Sequence, residues 1–246
     1  MKLELDIKSA SYGKKRVLEN IRFSLEGGSL TAVIGRNGSG KSTLVKVISG
    51  LLPYDGSLTI DGREVRTVSR GDMARLSSLL PQELRRPHIK VCDLVAYGRT
   101  PHLGFGAPPS DADLSIIDRA VSSASLSDIR ECYLDRISGG ELRRAYFGMI
   151  LAQNTDLVLL DEATAFMDAD FERRFFEMQK ALSREKTVIS VVHNLSSALN
   201  FADNILLVDG GAQVFFGTPS QLLNTDLVER IFSVKRFEAD GSVFFA

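Results

Sequence analysis

One eight-residue segment, 35–42 (GRNGSGKS), constrains the fold of this 246-residue chain more than any other feature. The apolar residues 30–34 before it are rich in β-branched side chains, as expected for a strand buried on both faces of a parallel sheet. Residues 42–49 after it have helical apolar spacing and end next to Gly50, a typical helix terminus. Glycines at three of the eight positions let successive backbone N–H groups point into one concavity at the positive end of the helix dipole. The segment therefore predicts a phosphate-binding loop.

Two side chains of this loop have the chemistry that a polyphosphate needs. Lys41 can place a point charge on the β- and γ-phosphates, and the Ser42 hydroxyl can bind Mg²⁺. The alternative is an ordinary glycine-rich connector, which the eight constrained positions between a strand and a helix disfavour. The predicted nucleotide contacts of this segment are Gly35, Arg36, Asn37, Gly38, Ser39, Gly40, Lys41, Ser42 and Thr43.

Composition excludes several classes of function. The chain is 44% hydrophobic, enough for a real core, and its 30 basic and 31 acidic residues give a net charge of −1. No global field therefore draws it to nucleic acid or to an anionic membrane, and we expect no nucleic-acid partner. Cys92 and Cys132 form no CxxC motif and indicate ordinary thiols in a reducing compartment. The chain starts without the apolar core of a signal peptide and contains no run of the ~18 apolar residues that span a bilayer, so any membrane role is expected to act through a partner.

The order of predicted elements indicates an α/β fold. Alternating apolar residues and turn signals predict an antiparallel sheet beside the nucleotide site, and a helical texture extends from about 70 to 155, including a capping box at Ser110 and Asp113. The helical spacing of Phe171, Phe175, Met178 and Leu182 places a helix between two of the later strands, as in a right-handed parallel unit. Thr218 and Pro219 are a plausible helix start. The predicted strands are 3–7, 17–25, 30–34, 57–60, 157–160, 187–192 and 205–208.

Polar side chains follow two of the apolar strands and mark the border of the helical region. Asp161 and Glu162 end one strand, where Asp161 can hold Mg²⁺ through water and Glu162 can take a proton from the attacking water. His193 ends the next strand, where its position favours a contact with the γ-phosphate over a structural role. Gln82 lies where the core gives way to the helical region, and alone it is only a polar loop residue.

A second glycine-bearing helix start lies at 138–141, where Ser138 and Glu141 have capping-box spacing. This segment either caps the following helix or forms a further anion site. Because the loop at 35–42 already holds the phosphates, a second phosphate site requires a second ligand or a second subunit.

In their order and spacing, the motifs from Tyr12 to about Gly217 resemble the ATP-binding subunits of ABC transporters. In this family's terms, 35–42 is the Walker A motif, Gln82 the Q-loop, 137–141 the signature and 157–162 the Walker B motif with its catalytic base. Residues 165–168 resemble the D-loop and His193 the switch histidine. Tyr12 falls where the family places an aromatic ring that stacks on adenine, a contact worth roughly 1–3 kcal/mol by analogy with base stacking.

The resemblance implies an ATPase with ATP and Mg²⁺ as cofactors. It implies one domain over 1–246, a P-loop NTPase core with a parallel sheet and a flanking antiparallel β-subdomain (about 1–82 and 156–246), and an inserted α-helical subdomain (about 83–155). Two chains are expected to form a head-to-tail homodimer that sandwiches ATP between one Walker A motif and the other signature. The implied catalytic residues are Lys41, Gln82, Glu162 and His193, the further nucleotide contacts are Tyr12, Ser138, Gly139, Gly140, Glu141 and Asp168, and the Mg²⁺ ligands are Ser42, Gln82 and Asp161.

The departures from the family pattern are mild. Ile137 replaces the leucine of the signature, Arg143 stands where glutamine is usual, Ala163 replaces a common proline and Asn194 replaces a frequent aspartate, while the D-loop reads AFMD rather than SALD. None removes a phosphate, Mg²⁺ or base group, so we expect an active enzyme. These departures could instead alter the timing of communication between the subunits.

The segment 93–104 resembles the region after the Q-loop in importers of iron-siderophore, haem and cobalamin complexes. An apolar helix face at Val91, Leu94 and Val95 beside a Pro/Gly-rich loop could form a groove for a partner helix. The alternative is a packed helix with a surface loop. The resemblance implies permease subunits and a substrate-binding protein as partners, and a peripheral location on the cytoplasmic face of the inner membrane.

Two other classes of function remain open at this stage. A soluble ABC ATPase could act in DNA repair, translation or cofactor assembly. The 97 positions from Lys41 to Ser138 are too few for the long coiled coils of repair proteins, and the single set of motifs argues against translation factors. An ATP-binding module without turnover is the third class, and Glu162 together with His193 argues against it.

Overall fold

The computed structural model describes residues 1–104, 106–163, 169–239 and 242–245. Its strands are β1 (Leu3–Tyr12), β2 (Lys15–Leu25), β3 (Ser29–Ile34), β4 (Tyr54–Ile60), β5 (Arg63–Glu64), β6 (Ser77–Leu80), β7 (Leu157–Asp161), β8 (Thr187–Val191), β9 (Asn204–Asp209), β10 (Ala212–Gly217), β11 (Arg236–Ala239) and β12 (Ser242–Phe245). Within the described residues, ten of these strands form one mixed sheet in the order β5-β4-β1-β2-β10-β9-β3-β8-β7-β6, while β11 and β12 form a separate hairpin.

Helices cover the sheet and extend beyond it. They are α1 (Lys41–Ile48), α2 (Arg70–Leu76), α3 (Val91–Tyr97), α4 (Asp111–Ser123), α5 (Gly139–Gln153), α6 (Ala169–Leu182), α7 (Leu195–Phe201), α8 (Pro219–Leu223) and α9 (Leu227–Phe232). Capping boxes at Ser110, Ser138 and Thr218 start α4, α5 and α8, which confirms the helix starts predicted from the sequence. None of the helices in the described ranges has the length and apolar composition needed to cross a membrane.

The parallel half of the sheet positions the candidate site. Strands β9, β3, β8, β7 and β6 pair in parallel, and β7 and β8 are buried along their whole length. Continuous apolar strands are expected where helices cover both faces of a sheet. Because parallel strands end at a common edge, the residues that follow β3, β6, β7 and β8 meet there.

The antiparallel half continues the same sheet. Strand β1 pairs with β2 and β4, and buried apolar residues alternate with exposed charged ones along its first part, so that Leu3, Leu5 and Ile7 face the core. A single parallel bridge between Ala212 of β10 and Glu19 of β2 joins the two halves. The predicted antiparallel sheet beside the parallel core is thus confirmed, as a continuation of the core sheet.

Residues 77–80 differ from the sequence prediction, which included them in the helical region from about 70 to 155. They form β6, the outermost strand of the parallel half, paired with β7 from Ser77 to Leu80. Four residues with the sequence Ser-Ser-Leu-Leu carry no period that distinguishes a strand from a helix. Pairing with a buried neighbour over a long sequence separation decides their conformation.

The helical layer has its own core. Helices α3, α4 and α5 share a cluster of buried apolar side chains. Beside it, the mostly buried side chains of Arg99 and Asp113 form an ion pair at 2.9 Å. Hydrogen bonds from the side chain and backbone of Ser110, followed by that from Arg99, lower the pKa of Asp113 to about 2.

The proposed partner groove on α3 is wrong. Val91, Leu94 and Val95 are at most 4% exposed and belong to the cluster shared with α4 and α5. A partner cannot reach these side chains without unpacking the layer, so the alternative, a packed helix, is confirmed. The exposed apolar side chain at the end of α3 is Tyr97.

Candidate functional site

The phosphate loop connects β3 to α1, and its glycines are required by close contacts. A Cβ on Gly35 would lie 2.0 Å from the carbonyl oxygen of Val208, and one on Gly40 would lie 2.6 Å from a methyl group of Leu18. Gly40 also has φ of 99° as the residue before α1, in a region that side chains disfavour. The loop can therefore take this path only with glycine at both positions.

Lys41, the first residue of α1, lies inside the loop. Its side chain is almost fully buried, and Nζ donates to the carbonyl oxygens of Gly35 at 2.8 Å and Arg36 at 3.0 Å. Burial lowers the pKa of Lys41, while the carboxylates of Glu162 and Asp161 act in the opposite direction. An ammonium group held by neutral carbonyl oxygens at a helix N-terminus favours a bound anion.

Ser42 and Asp161 bring a hydroxyl and a carboxylate side by side. Ser42 Oγ donates to Asp161 Oδ1 at 2.9 Å, and Asp161 is 4% exposed. Burial raises the pKa of Asp161, and the hydrogen bond from Ser42 offsets part of this effect. A bound cation would relieve the cost of burying this carboxylate, so the oxygen pair fits Mg²⁺. Among the described residues, no group of three or more His, Cys, Asp or Glu side chains is placed so that it could hold a metal ion.

Three strand ends converge on Glu162. Gln82 Nε2, beyond β6, donates to Oε2 of Glu162 at 2.5 Å, and His193 Nε2, beyond β8, lies 2.7 Å from Oε1. Glu162 itself follows β7 with φ of 52°, unusual for a residue with a side chain. Its carboxylate is therefore held in place by side chains from both neighbouring strands.

Of these groups, Lys41, Ser42, Gln82, Glu162 and His193 line one cavity of about 390 Å³, whereas Asp161 is not among its lining residues. Its lining residues are Val17, Asn37, Gly38, Gly40, Lys41, Ser42, Thr43, Gln82, Glu162 and His193. Most predicted phosphate contacts thus line the cavity, while Gly35 and Arg36 contribute the carbonyl groups that hold Lys41, and Ser39 is buried beside Gly35.

Val17 and Tyr12 show where sequence reasoning and structure differ in detail. Val17 lines the cavity but has no sequence signal beyond its place in a strand, because only the junction of the two sheet halves brings β2 to the loop.

Tyr12 ends β1, is 46% exposed and is not among the residues that line the cavity. Its ring centre lies 5.9 Å from Lys46 Nζ. The stacking of Tyr12 on adenine stays a prediction, and an exposed ring is compatible with it.

The second glycine-bearing helix start does not line this cavity. Ser138 Oγ accepts a hydrogen bond from the Glu141 N–H and the Glu141 carboxylate accepts one from the Ser138 N–H, so the predicted capping box is confirmed. Among the described residues, a Cβ on Gly140 would have no neighbour within 4 Å, and one on Gly139 would reach only Arg86. Ser138 is exposed, and Gly139, Gly140 and Glu141 are half-buried. Asp168, with the rest of 164–168, lies outside the described residues.

Sequence reasoning missed Arg143, treated above as a mild departure from a pattern. This α5 residue is 5% exposed and donates to the carbonyl oxygens of Glu162 at 3.0 Å and Gln82 at 3.3 Å. Burial lowers the pKa of Arg143, and the Glu162 carboxylate opposes this shift. No local sequence signal could have identified this role, because the burial of Arg143 and its contacts with Gln82 and Glu162 arise only in the folded chain.

Comparison with known proteins gives a consistent family. The family model described as "ABC transporter" matches residues 18–165. The ferric enterobactin transport ATP-binding protein FepC of Escherichia coli K12 is 34% identical over 94% of this chain and 87% of its own length. The hemin import ATP-binding protein HmuV of Rhodopseudomonas palustris BisA53 is 31% identical over 98% of this chain and 93% of its own length.

The fold is also that of a solved protein. A bacterial Atm1-family ABC exporter with ATP bound aligns over 94% of this chain with a TM-score of 0.82 and 24% identity. This chain corresponds to 41% of that exporter's length, and the likeness at this identity shows the fold alone.

Proposed function

The chain belongs to the ABC transporter family of ATP-binding proteins, and from this premise we propose that it drives a membrane importer for iron-siderophore, haem or cobalamin complexes. As an ATP-binding subunit of this family it binds and hydrolyses ATP. Such importer subunits are peripheral to the membrane and work with permease components. The names of FepC and HmuV support an iron chelate or haem as cargo, and both are transport proteins, so they give the soluble alternative no support.

The observation that carries the catalytic assignment is the convergence of four strand ends on one cavity. In this arrangement Lys41 binds the β- and γ-phosphates, Glu162 takes the proton of the attacking water, and His193 contacts the γ-phosphate. Gln82 orients the Glu162 carboxylate through its amide. Mg²⁺, held by Ser42, Asp161 and Gln82, would neutralise charge on the phosphates.

The remaining nucleotide contacts come from the edge of the cavity and from a second chain. Tyr12, exposed at the end of β1, stacks on the adenine ring. Ser138, Gly139, Gly140 and Glu141 have at least partly accessible positions and are not among the lining residues of their own chain's cavity, which supports a head-to-tail homodimer in which they meet the γ-phosphate bound by the partner. We assign Asp168 to the same interface.

The domain boundaries follow from the same assignment. We propose that 1–82 and 156–246 form the nucleotide-binding core with its β-subdomain and that 83–155 form the helical subdomain, as the separate buried cluster of α3 to α5 supports. We further propose that the subunit lies on the cytoplasmic face of the inner membrane and that a substrate-binding protein delivers the cargo.

A groove other than the α3 face suits the permease. It has a volume of about 290 Å³ and is lined in part by Leu51, Val68, Met73 and Leu79, with Leu51 67% exposed. Leu51 follows α1, which starts at Lys41, and Leu79 lies in β6, which leads to Gln82. Because α1 begins at the cavity and β6 leads to it, a permease helix seated in this groove would respond to movement of the phosphate site.

The test uses Glu162→Gln, with Glu185→Gln as a control at an exposed position outside the cavity. We expect Glu162→Gln to bind ATP, to accumulate as a dimer and to hydrolyse ATP about 10²–10⁴ times more slowly, the usual share of a general base. Cells with this variant as their only copy should lose uptake of labelled iron-siderophore, haem or cobalamin, whereas the control should retain both activities.

Two results would contradict separate parts of the proposal. Near-wild-type turnover in Glu162→Gln would show that another group is the base. Unchanged import of all three cargo classes, with loss of an unrelated solute, would refute the cargo class and leave the ATPase assignment intact.

A further inference from the structure

The guanidinium group of Arg143 links two residues from different strands. Arg143 Nη1 donates to the carbonyl oxygen of Glu162 at 3.0 Å and Nη2 donates to that of Gln82 at 3.3 Å. These acceptors follow the paired strands β7 and β6. A planar guanidinium with fixed donor directions therefore sets the spacing between the two backbones.

The side chains of Gln82 and Glu162 also form a hydrogen bond with each other. Gln82 Nε2 donates to the Glu162 carboxylate at 2.5 Å, so Arg143, Gln82 and Glu162 close a ring of hydrogen bonds. Glu162 needs such support, because its φ of 52° is a strained conformation for a residue with a side chain. A change at Arg143 would release the backbone of Glu162 and shift its carboxylate.

Arg143 also belongs to the helix that begins at the signature. Ser138 caps α5, and Arg143 lies in the second turn of this capped helix with 5% of its surface exposed. A ligand that moves the start of α5 therefore moves the guanidinium group relative to β6 and β7. Glutamine, the usual residue at this position of the family pattern, has a shorter side chain than arginine and carries no charge.

We propose that Arg143 is a positioning residue that holds Glu162 and Gln82 in register and couples the start of α5 to hydrolysis. The inference rests on the proposed role of Glu162 as the base. Arg143 acts on the position of the carboxylate and not on the phosphate loop, so it governs turnover more than ATP binding.

The experiment compares Arg143→Met with Arg119→Met in the full-length protein. Arg119 is an arginine of the same helical layer, but it lies at an exposed position of α4 outside the phosphate cavity. We expect Arg143→Met to lower kcat for ATP by about 10- to 100-fold, the effect of a displacement of about 1 Å, with KM changed less than about twofold. Arg119→Met should retain kcat, and Arg143→Lys, which keeps the charge and one donor, should recover part of the loss.

Thermal unfolding of each variant separates positioning from folding. If Arg143→Met does not fold, Arg143→Lys decides, with a lower kcat at unchanged KM expected. Wild-type kcat in the folded Arg143 variants, or a loss of activity that only follows the loss of folded protein, would overturn the inference. Glu162→Gln is measured in parallel: if it retains turnover, the base assignment has failed, whereas an inactive Glu162→Gln beside fully active Arg143 variants refutes the positioning role alone.

Discussion

Gly98, the residue after α3, lies close to α5, and Gly98→Ala tests the packing of the helical layer. A Cβ at this position would lie 2.2 Å from the carbonyl oxygen of Met149, 2.9 Å from the backbone nitrogen of Gln153 and 3.0 Å from the Ala152 Cβ. Ordinary contact begins near 3.4 Å, so α3 would have to move about 1.2 Å from α5. The Met149 oxygen and the Gln153 nitrogen are backbone atoms, so no side-chain rotation can relieve these two contacts. Overpacking costs about 1–3 kcal/mol, and we expect the upper end.

The assay is thermal unfolding, with Gly104→Ala as the matched control. For a chain of this size, a loss of about 3 kcal/mol lowers Tm by about 6–12 °C. At Gly104 the nearest atom to an added Cβ is the Ala107 Cβ at 3.7 Å, and φ lies outside the left-handed region, so alanine there should be neutral or stabilise by about 0.4–1 kcal/mol. Amide exchange should quicken in α3 and α5 of Gly98→Ala. Equal Tm values for both variants would refute the close contact between these helices.

Two further predictions concern the partner groove and the dimer. Leu94→Glu should destabilise the subunit by several kcal/mol because Leu94 is 4% exposed, whereas Leu51→Glu, at a 67% exposed position, should preserve Tm and basal ATPase while weakening permease binding in a co-purification assay. Similar Tm values for the two would contradict the burial of α3. Mixing inactive Lys41→Ala and Ser138→Arg chains should restore measurable ATPase, because each heterodimer contains one intact composite site. Heterodimers that stay inactive would contradict composite sites.

The segment that resembles the chelate-importer subfamily serves internal packing. Arg99 pairs with Asp113 and donates to the carbonyl oxygen of Ala152 at 2.9 Å, and His102 Nε2 lies 2.8 Å from that of Gln153. Together with the contact of Gly98, these bonds fix α3 and the following turn against the end of α5. Arg99, His102 and Gly98 of this segment therefore contribute to the assembly of the helical layer, while Tyr97 of the same segment is exposed.

Local signals were enough to predict the phosphate loop, the buried strands and the helix starts. A glycine-rich turn between a β-branched run and a helix depends on contacts a few residues apart, and the capping box at Ser138 is complete within four residues. Asp161 and Glu162 could be placed at a sheet edge because a buried parallel strand must end there. Each of these features is determined by residues that are close together in the sequence.

Tertiary structure alone decided the conformation of 77–80, the burial of α3 and the role of Arg143. Strand β6 exists because it pairs with β7, some eighty positions away in sequence. An apolar helix face looks the same in sequence whether it meets a partner or its own chain, so only packing against α5 could assign Leu94 to the core. The hydrogen bonds of Arg143 to Gln82 and Glu162 join three distant parts of the chain, and no local period records a contact that only the folded sheet and helix bring together.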